Sequence, residues 1–195
     1  MTLPAADLPH PHVDRQIGAR LRQLRRARRL PLEELARRTG LSIGFLSQIE
    51  RGLSSPTLRV LATVADALGH AISDLFPTDT GQTDSTATIV READRPHLQL
   101  WRSGIRKHLL TPQTEGSKLT LFLVEMEPGA STGDDYYTHH GEEAGFVLSG
   151  TLLLQVENKS WAIQAGDSFR FRSSNPHRFA NSHDGITTVI WVNCL

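Results

Sequence analysis

The segment Thr39-Gly40-Leu41-Ser42-Ile43-Gly44-Phe45-Leu46-Ser47-Gln48-Ile49-Glu50-Arg51-Gly52 constrains this chain more than any other. Gly40 stands where a sharp turn between helices needs a positive φ without a Cβ clash. Ser42 occupies an N-cap position, and Gly52 closes the helix that follows. Within that helix Leu46 and Ile49 recur at core spacing, which leaves Ser42, Ile43, Gly44, Ser47 and Gln48 on or near the outer face. Small residues let a backbone approach base edges closely, and a glutamine forms a bidentate contact with adenine. The pattern predicts a turn and a helix that lies in the DNA major groove.

The flanking residues supply the rest of a small helical domain. Ile17, Leu21 and Leu24 form one apolar stripe, and arginines cover the other faces of the same helix. Leu30-Pro31 ends it, and Leu32, Leu35 and Ala36 carry a short second helix. Ser55-Pro56-Thr57 caps a fourth, carried by Leu58, Leu61, Ala65 and Leu68, and Ile72, Leu75 and Phe76 suggest a short fifth. Residues 15–60 hold eleven arginines against Glu33, Glu34 and Glu50, whereas the whole chain is formally neutral. Such one-ended positive charge is a footprint for phosphate. Charge alone fits a solvated arginine-rich bundle equally well; the turn chemistry favours double-stranded DNA as partner.

Residues 15–76 resemble the XRE-type, lambdoid repressor-like domain of five helices. Leu32-Glu33-Glu34-Leu35-Ala36, Thr39-Gly40-Leu41-Ser42 and Ser47-Gln48-Ile49-Glu50-Arg51-Gly52 carry the resemblance. It implies that Ser42, Ile43, Gly44, Ser47 and Gln48 face bases and that Arg51 contacts phosphate. It also implies that Arg25 pairs with Glu50 as a structural link.

Four regions are expected: a flexible tail over 1–13, the DNA-binding domain over 14–76, a Pro/Asp/Thr/Gly/Ser linker over 77–86, and a second domain over 87–195. No stretch is apolar and long enough to span a membrane, and no secretory signal is evident. Cys194 is the single cysteine, which fits a reducing compartment and a cytoplasmic location. After the linker the period changes. Thr88–Glu92, Leu98–Arg102, Leu119–Met126, Phe146–Leu148, Thr151–Val156, Ser168–Phe171 and Thr187–Val192 read as short strands between turn residues. That pattern predicts an all-β sandwich or barrel, whose slightly acidic balance argues against a second nucleic-acid face.

Pro128–Gly150 and Gly166–Asn181 resemble the two motifs of the cupin, a double-stranded β-helix or jelly-roll barrel, and the likeness extends over 87–195. The resemblance places His139, Glu143 and His177 at metal-ligand positions, Gly150 and Gly166 at turns, and Asn181 at the end of the second motif. Where cupins usually offer another histidine, this chain has Tyr137. Two histidines and a carboxylate are competent to hold one divalent ion (iron, zinc, nickel or manganese); the alternative is a pocket of hydrogen-bonding groups without metal. His140 and Glu142 read as solvent-exposed. Trp101, Phe122, Phe146, Phe169, Phe171, Phe179 and Trp191 read as core. Tyr136 or Tyr137 is placed to offer a hydroxyl to a ligand, and Arg170 or Arg172 a guanidinium if either points inward.

This combination resembles bacterial one-component regulators, in which the cupin binds a small metabolite and shifts DNA affinity. It implies a homodimer on a palindromic operator and a ligand pocket around Tyr137, His139, Glu143 and His177, with repression the expected mode. The alternative is an iron-dependent enzyme resembling hydroxypropylphosphonate epoxidase, which shares the layout and the triad spacing. Against it stand the arginine-rich reading domain and the lack of a tyrosine-rich strand in 97–110.

Overall fold

A computed structural model describes residues 11–76, 88–112 and 117–195. The N-terminal domain contains α1 (Pro11–Ala27), α2 (Leu32–Thr39), α3 (Ile43–Glu50) and α4 (Leu58–Ala67), followed by a 3-10 turn over Ile72–Leu75. The fifth helix expected from sequence is therefore a single tight turn. Helix α1 begins inside the segment expected to be a tail, since residues 11–13 are helical. Residues 1–10 of that tail and the linker over 77–86 lie outside the described residues.

Local chemistry explains each boundary. Gly40 ends α2 in the left-handed region at φ 70°, and its N–H is bonded to the Ala36 carbonyl. Ser42 caps α3 by accepting from the Phe45 N–H at 3.2 Å, and Thr57 caps α4 by accepting from Val60 N–H. Ile17, Leu21, Leu35, Leu46, Ile49 and Leu61 close the core among them. Gly18 is the unforeseen contributor: a Cβ there would come within 2.1 Å of the Ile49 carbonyl oxygen, so the bare backbone is what lets α1 cross α3 so closely. The expected pair is present and bidentate, Arg25 Nε and Nη2 donating to Glu50 at 2.6 and 2.8 Å.

The C-terminal domain is an antiparallel sandwich of a six-stranded sheet, ordered β1-β2-β3-β9-β4-β7, and a three-stranded sheet, ordered β6-β5-β8. The strands are β1 (His97–Leu100), β2 (Ile105–Leu109), β3 (Leu119–Met126), β4 (Glu142–Ser149), β5 (Thr151–Val156), β6 (Lys159–Gln164), β7 (Ser168–Arg172), β8 (His177–Asn181) and β9 (Thr187–Cys194). Strands β3 and β5 have the expected bounds. Three strands, β2, β6 and β8, were not foreseen, because their polar and charged residues hide the alternation. The expected strand at Thr88–Glu92 is absent: residues 88–91 are irregular, and a 3-10 turn starts at Glu92. Phe146 is also not core; it is 44% exposed on the outer face of β4, while Phe122, Phe179 and Trp191 are buried between the sheets. The side chain of Trp101 lies outside the description.

The two domains share one apolar core. Phe76, fully buried after the 3-10 turn, packs on Phe122 of β3 with ring centroids 5.5 Å apart and planes tilted by 31°. Asn181 ties the far end of the barrel, donating to the carbonyls of Met126, Glu127 and Gly185 and accepting from His183 N–H and Thr187 Oγ1.

Removing one member of a half-buried ion pair strands the other, so Glu50→Ala is expected to destabilise the helical domain by about 3 kcal/mol. Chemical denaturation followed by circular dichroism measures this.

Candidate functional site

The first candidate surface is helical. Ser42, Ile43, Gly44 and Gln48 are exposed on α3, Ser47 is half-buried, and Arg51 is exposed just beyond the helix with its Nε on the Ser47 carbonyl at 3.2 Å. A Cβ at Gly44 would meet nothing within 4 Å, so packing inside the protein does not require that glycine; its smoothness faces outward. Four of the eleven arginines in residues 15–60 are engaged by carboxylates. Arg25 is used by Glu50, Arg37 and Arg38 by Glu34, and Arg59 by Asp135. Arg15, Arg22, Arg26 and Arg29 form no ion pair among the described residues and remain for an external anion.

The second candidate lies in the barrel. Glu143 projects inward from β4 in the six-stranded sheet, His177 from β8 in the opposite sheet, and His139 from the segment leading into β4. The ligand atoms of these three lie within 4.8 Å of one another. The connecting segment is held by backbone pairing: Tyr137 and His177 exchange N–H···O bonds at 3.1 and 3.0 Å. Both histidines have their Nδ1 on a backbone carbonyl, His140 for His139 and Asn175 for His177, each at 2.9 Å. Those bonds turn each Nε2 toward Glu143, at 2.5 Å for His139 and 3.7 Å for His177.

Glu143 is buried, and its second oxygen accepts from the Trp191 indole N–H at 2.7 Å. Burial pushes the Glu143 carboxyl up, but the hydrogen bond and charge of His139, with His177 and Lys107 beyond, hold it below the usual range. His139 mirrors it: burial lowers its pKa, and the bond and charge of Glu143 more than reverse this. His177 is shifted down, chiefly by burial. The cup therefore holds a Glu143–His139 ion pair beside a neutral His177, whose buried Nε2 has no hydrogen-bond partner. That orphaned nitrogen, with a carboxylate oxygen and a second imidazole converging on one point, fits a divalent ion. Tyr137 does not supply a fourth ligand nitrogen. Its ring packs on His177 at 4.3 Å, and burial keeps its phenol protonated by raising its pKa well above the ordinary value.

The cavity beside this triad has a volume of about 40 Å³. Its cover comes from the other domain: Leu58, Ala62 and Asp66 of α4, with His70 to Ser73, line it together with Tyr137, His139 and Glu143. Asp66 accepts from the His140 backbone N–H at 3.0 Å and meets His140 Nδ1 at 2.7 Å. His140 is thus solvent-exposed as expected, yet it latches the two domains. Glu142 is bound by Arg170 on the outer surface; Arg170 and Arg172 are both exposed there, and Tyr136 is outside the cavity. Sequence reasoning missed Asp66, Trp191 in its hydrogen-bonding role, and Lys107, which lines the same cavity. The alternation Ile105, Lys107, Leu109 was the available signal for Lys107.

Ligation needs a neutral His139, so uptake of a divalent ion is expected to release a proton and to weaken as pH falls through the raised His139 pKa. His177→Ala should lower zinc affinity by at least tenfold. Calorimetry in buffers of different ionisation enthalpy checks both.

Residues 16–73 match the helix-turn-helix domain family, and residues 122–193 match the cupin domain family. The HTH-type transcriptional regulator PuuR of Escherichia coli (strain K12) is 26% identical over 173 residues, 89% of this chain and 91% of that protein. A crystal structure of an HTH_3 family transcriptional regulator from Vibrio cholerae superposes with a TM-score of 0.73 at 26% identity, covering 94% of this chain and 97% of that one. Hydroxypropylphosphonic acid epoxidase from S. wedmorenis gives a TM-score of 0.49 at 22% identity over 92% of this chain and 97% of that chain. The chain is a helix-turn-helix protein with a C-terminal cupin domain, on the plan of the transcriptional regulators that align with it over most of their length.

Proposed function

We propose that this protein is a cytoplasmic, sequence-specific transcriptional regulator whose DNA affinity is set by what occupies the cupin cavity. The single observation that carries the sensing step is the shared wall: α4 of the DNA-reading domain covers the mouth of the cavity, latched by Asp66 to His140. A ligand that fits better when α4 is displaced must shift the reading domain, and one that fits both arrangements equally regulates nothing. The base-reading roles fall to Ser42, Ile43, Gly44, Ser47 and Gln48, with Arg51 on phosphate. The pocket roles fall to Tyr137, His139, Glu143 and His177, the last three around a divalent ion.

A single α3 reads only a few base pairs, so the operator is taken to be palindromic and the protein a homodimer. The outer face of the six-stranded sheet supports this. Register sets Leu121, Val192 and Ala144 side by side, and Leu123, Ile190 and Phe146 in the next row, an apolar band across three strands. The rival reading, an iron-dependent oxidase, is favoured by the two-histidine, one-carboxylate triad. The free arginines of α1 and the outward-facing α3 have no task in it.

Duplexes selected from random sequence by the wild-type protein provide the test. Gln48→Ala should lower affinity for the selected site about tenfold and relax the sequence at one position, as loss of one bidentate base contact does. No selectable sequence, together with oxygen-dependent turnover by iron-loaded protein, would overturn the regulator in favour of the enzyme. Phe146→Asp is expected to shift the sedimentation profile from dimer to monomer.

A further inference from the structure

Among the described residues, Lys107 is the most anomalous charge. It projects from β2 into the cavity, where its residue is 4% exposed. Among the described residues its ammonium has no hydrogen-bond acceptor and no carboxylate at ion-pair distance. It rests instead over Phe122 at 4.9 Å and Trp191 at 5.8 Å from the ring centroids. The carboxylates that line the cavity are already engaged: one Glu143 oxygen faces His139 and the other is bound by the Trp191 N–H, while Asp66 is held by His140. A buried charge without a partner is costly, and folds avoid it unless something else supplies the partner.

A cationic ligand beside Lys107 meets like charge at short range, whereas an anion meets an ammonium that no carboxylate bonds. Burial draws the Lys107 pKa down to about 8, which still leaves the ammonium as the main form at neutral pH. Asn193, whose buried Oδ1 has no partner, lines the same cavity and offers an acceptor to a hydroxyl on the ligand, not to its carboxylate. A volume of about 40 Å³ admits only a few heavy atoms before α4 must move.

We propose that the effector is a small organic carboxylate, bound through its carboxylate to the Lys107 ammonium, and that Lys107 is the residue that selects it over neutral and cationic compounds. This deepens the regulator reading and rests on it only for the consequence at DNA.

Calorimetry on the full chain, once with EDTA and once zinc-loaded, uses four probes: propionate, lactate, propionamide and propylamine. Both carboxylates should bind at least tenfold tighter than the amide and the amine in each state. Lys107→Met, which keeps the volume and removes the charge, should lower carboxylate affinity at least tenfold while melting no lower than the wild type. Lys107→Gln, polar but uncharged, should behave alike. Amide or amine binding as tight as the acids, no binding of any acid, or unaltered acid affinity in both variants overturns the proposal. Gel shift on the selected duplex separates the two claims. Acid binding that depends on Lys107 but leaves DNA affinity unchanged sinks the sensing function and keeps the carboxylate site. DNA affinity that responds to another class of compound, equally in Lys107→Met, sinks the carboxylate site and keeps the sensing function.

Discussion

A carboxylate is buried at the centre of the cupin, and most of the surrounding architecture follows from keeping it there. Glu143 would be driven toward its neutral form by burial alone. Two elements prevent this: the Trp191 N–H on β9 fixes one oxygen, and the histidine pair faces the other. Each histidine is in turn fixed by a backbone carbonyl, so the segment around Tyr137 and the turn at Asn175 must be in place before the charge is satisfied. The aromatic packing of Trp191 against Phe179 and Phe169 then follows from the tryptophan position. The same requirement brings β8 of one sheet to face β4 of the other, with His177 opposite Glu143.

The same constraint explains why the mouth of the cup matters to the helical domain. The cavity is small and charged, and its cover is a helix that packs on α2, which in turn packs on the reading helix, in one continuous core. Displacing α4 acts on that core, because Leu58, Leu61 and Ala65 are buried in it. The latch between Asp66 and His140 is exposed on one side, so it contributes orientation more than stability.

Much of the helical domain was legible because its signals are local. Gly40, Ser42 and Thr57 specify caps and turns whatever lies around them, and Arg25–Glu50 followed from the resemblance. The barrel was less legible. Strand β8 carries His177, Arg178 and Asn181, and β6 has one buried position, so neither shows an apolar run. Phe146 was misread as core because aromatic character says nothing about which face of a strand is outward. The triad was named from the resemblance to the cupin motifs, but its partner Trp191 comes from a strand 48 residues away. Lys107 was passed over for a plain reason: a lysine between strand residues normally faces water, and its alternation with Ile105 and Leu109, the one signal that it does not, was not weighed. The covering role of α4 is a tertiary fact with no signature in its own sequence.

The most direct test of coupling between cup and reading helix is reciprocity. If the two sites bias one equilibrium, zinc or propionate must bind the free protein and the protein on its selected duplex with different affinity, by the factor through which it changes DNA affinity. Titration of the cavity probe into protein alone and into the protein–DNA complex measures this. The expected result is a difference of fivefold or more that Asp66→Ala reduces. Equal affinity in both, with the cavity demonstrably filled, would contradict the account.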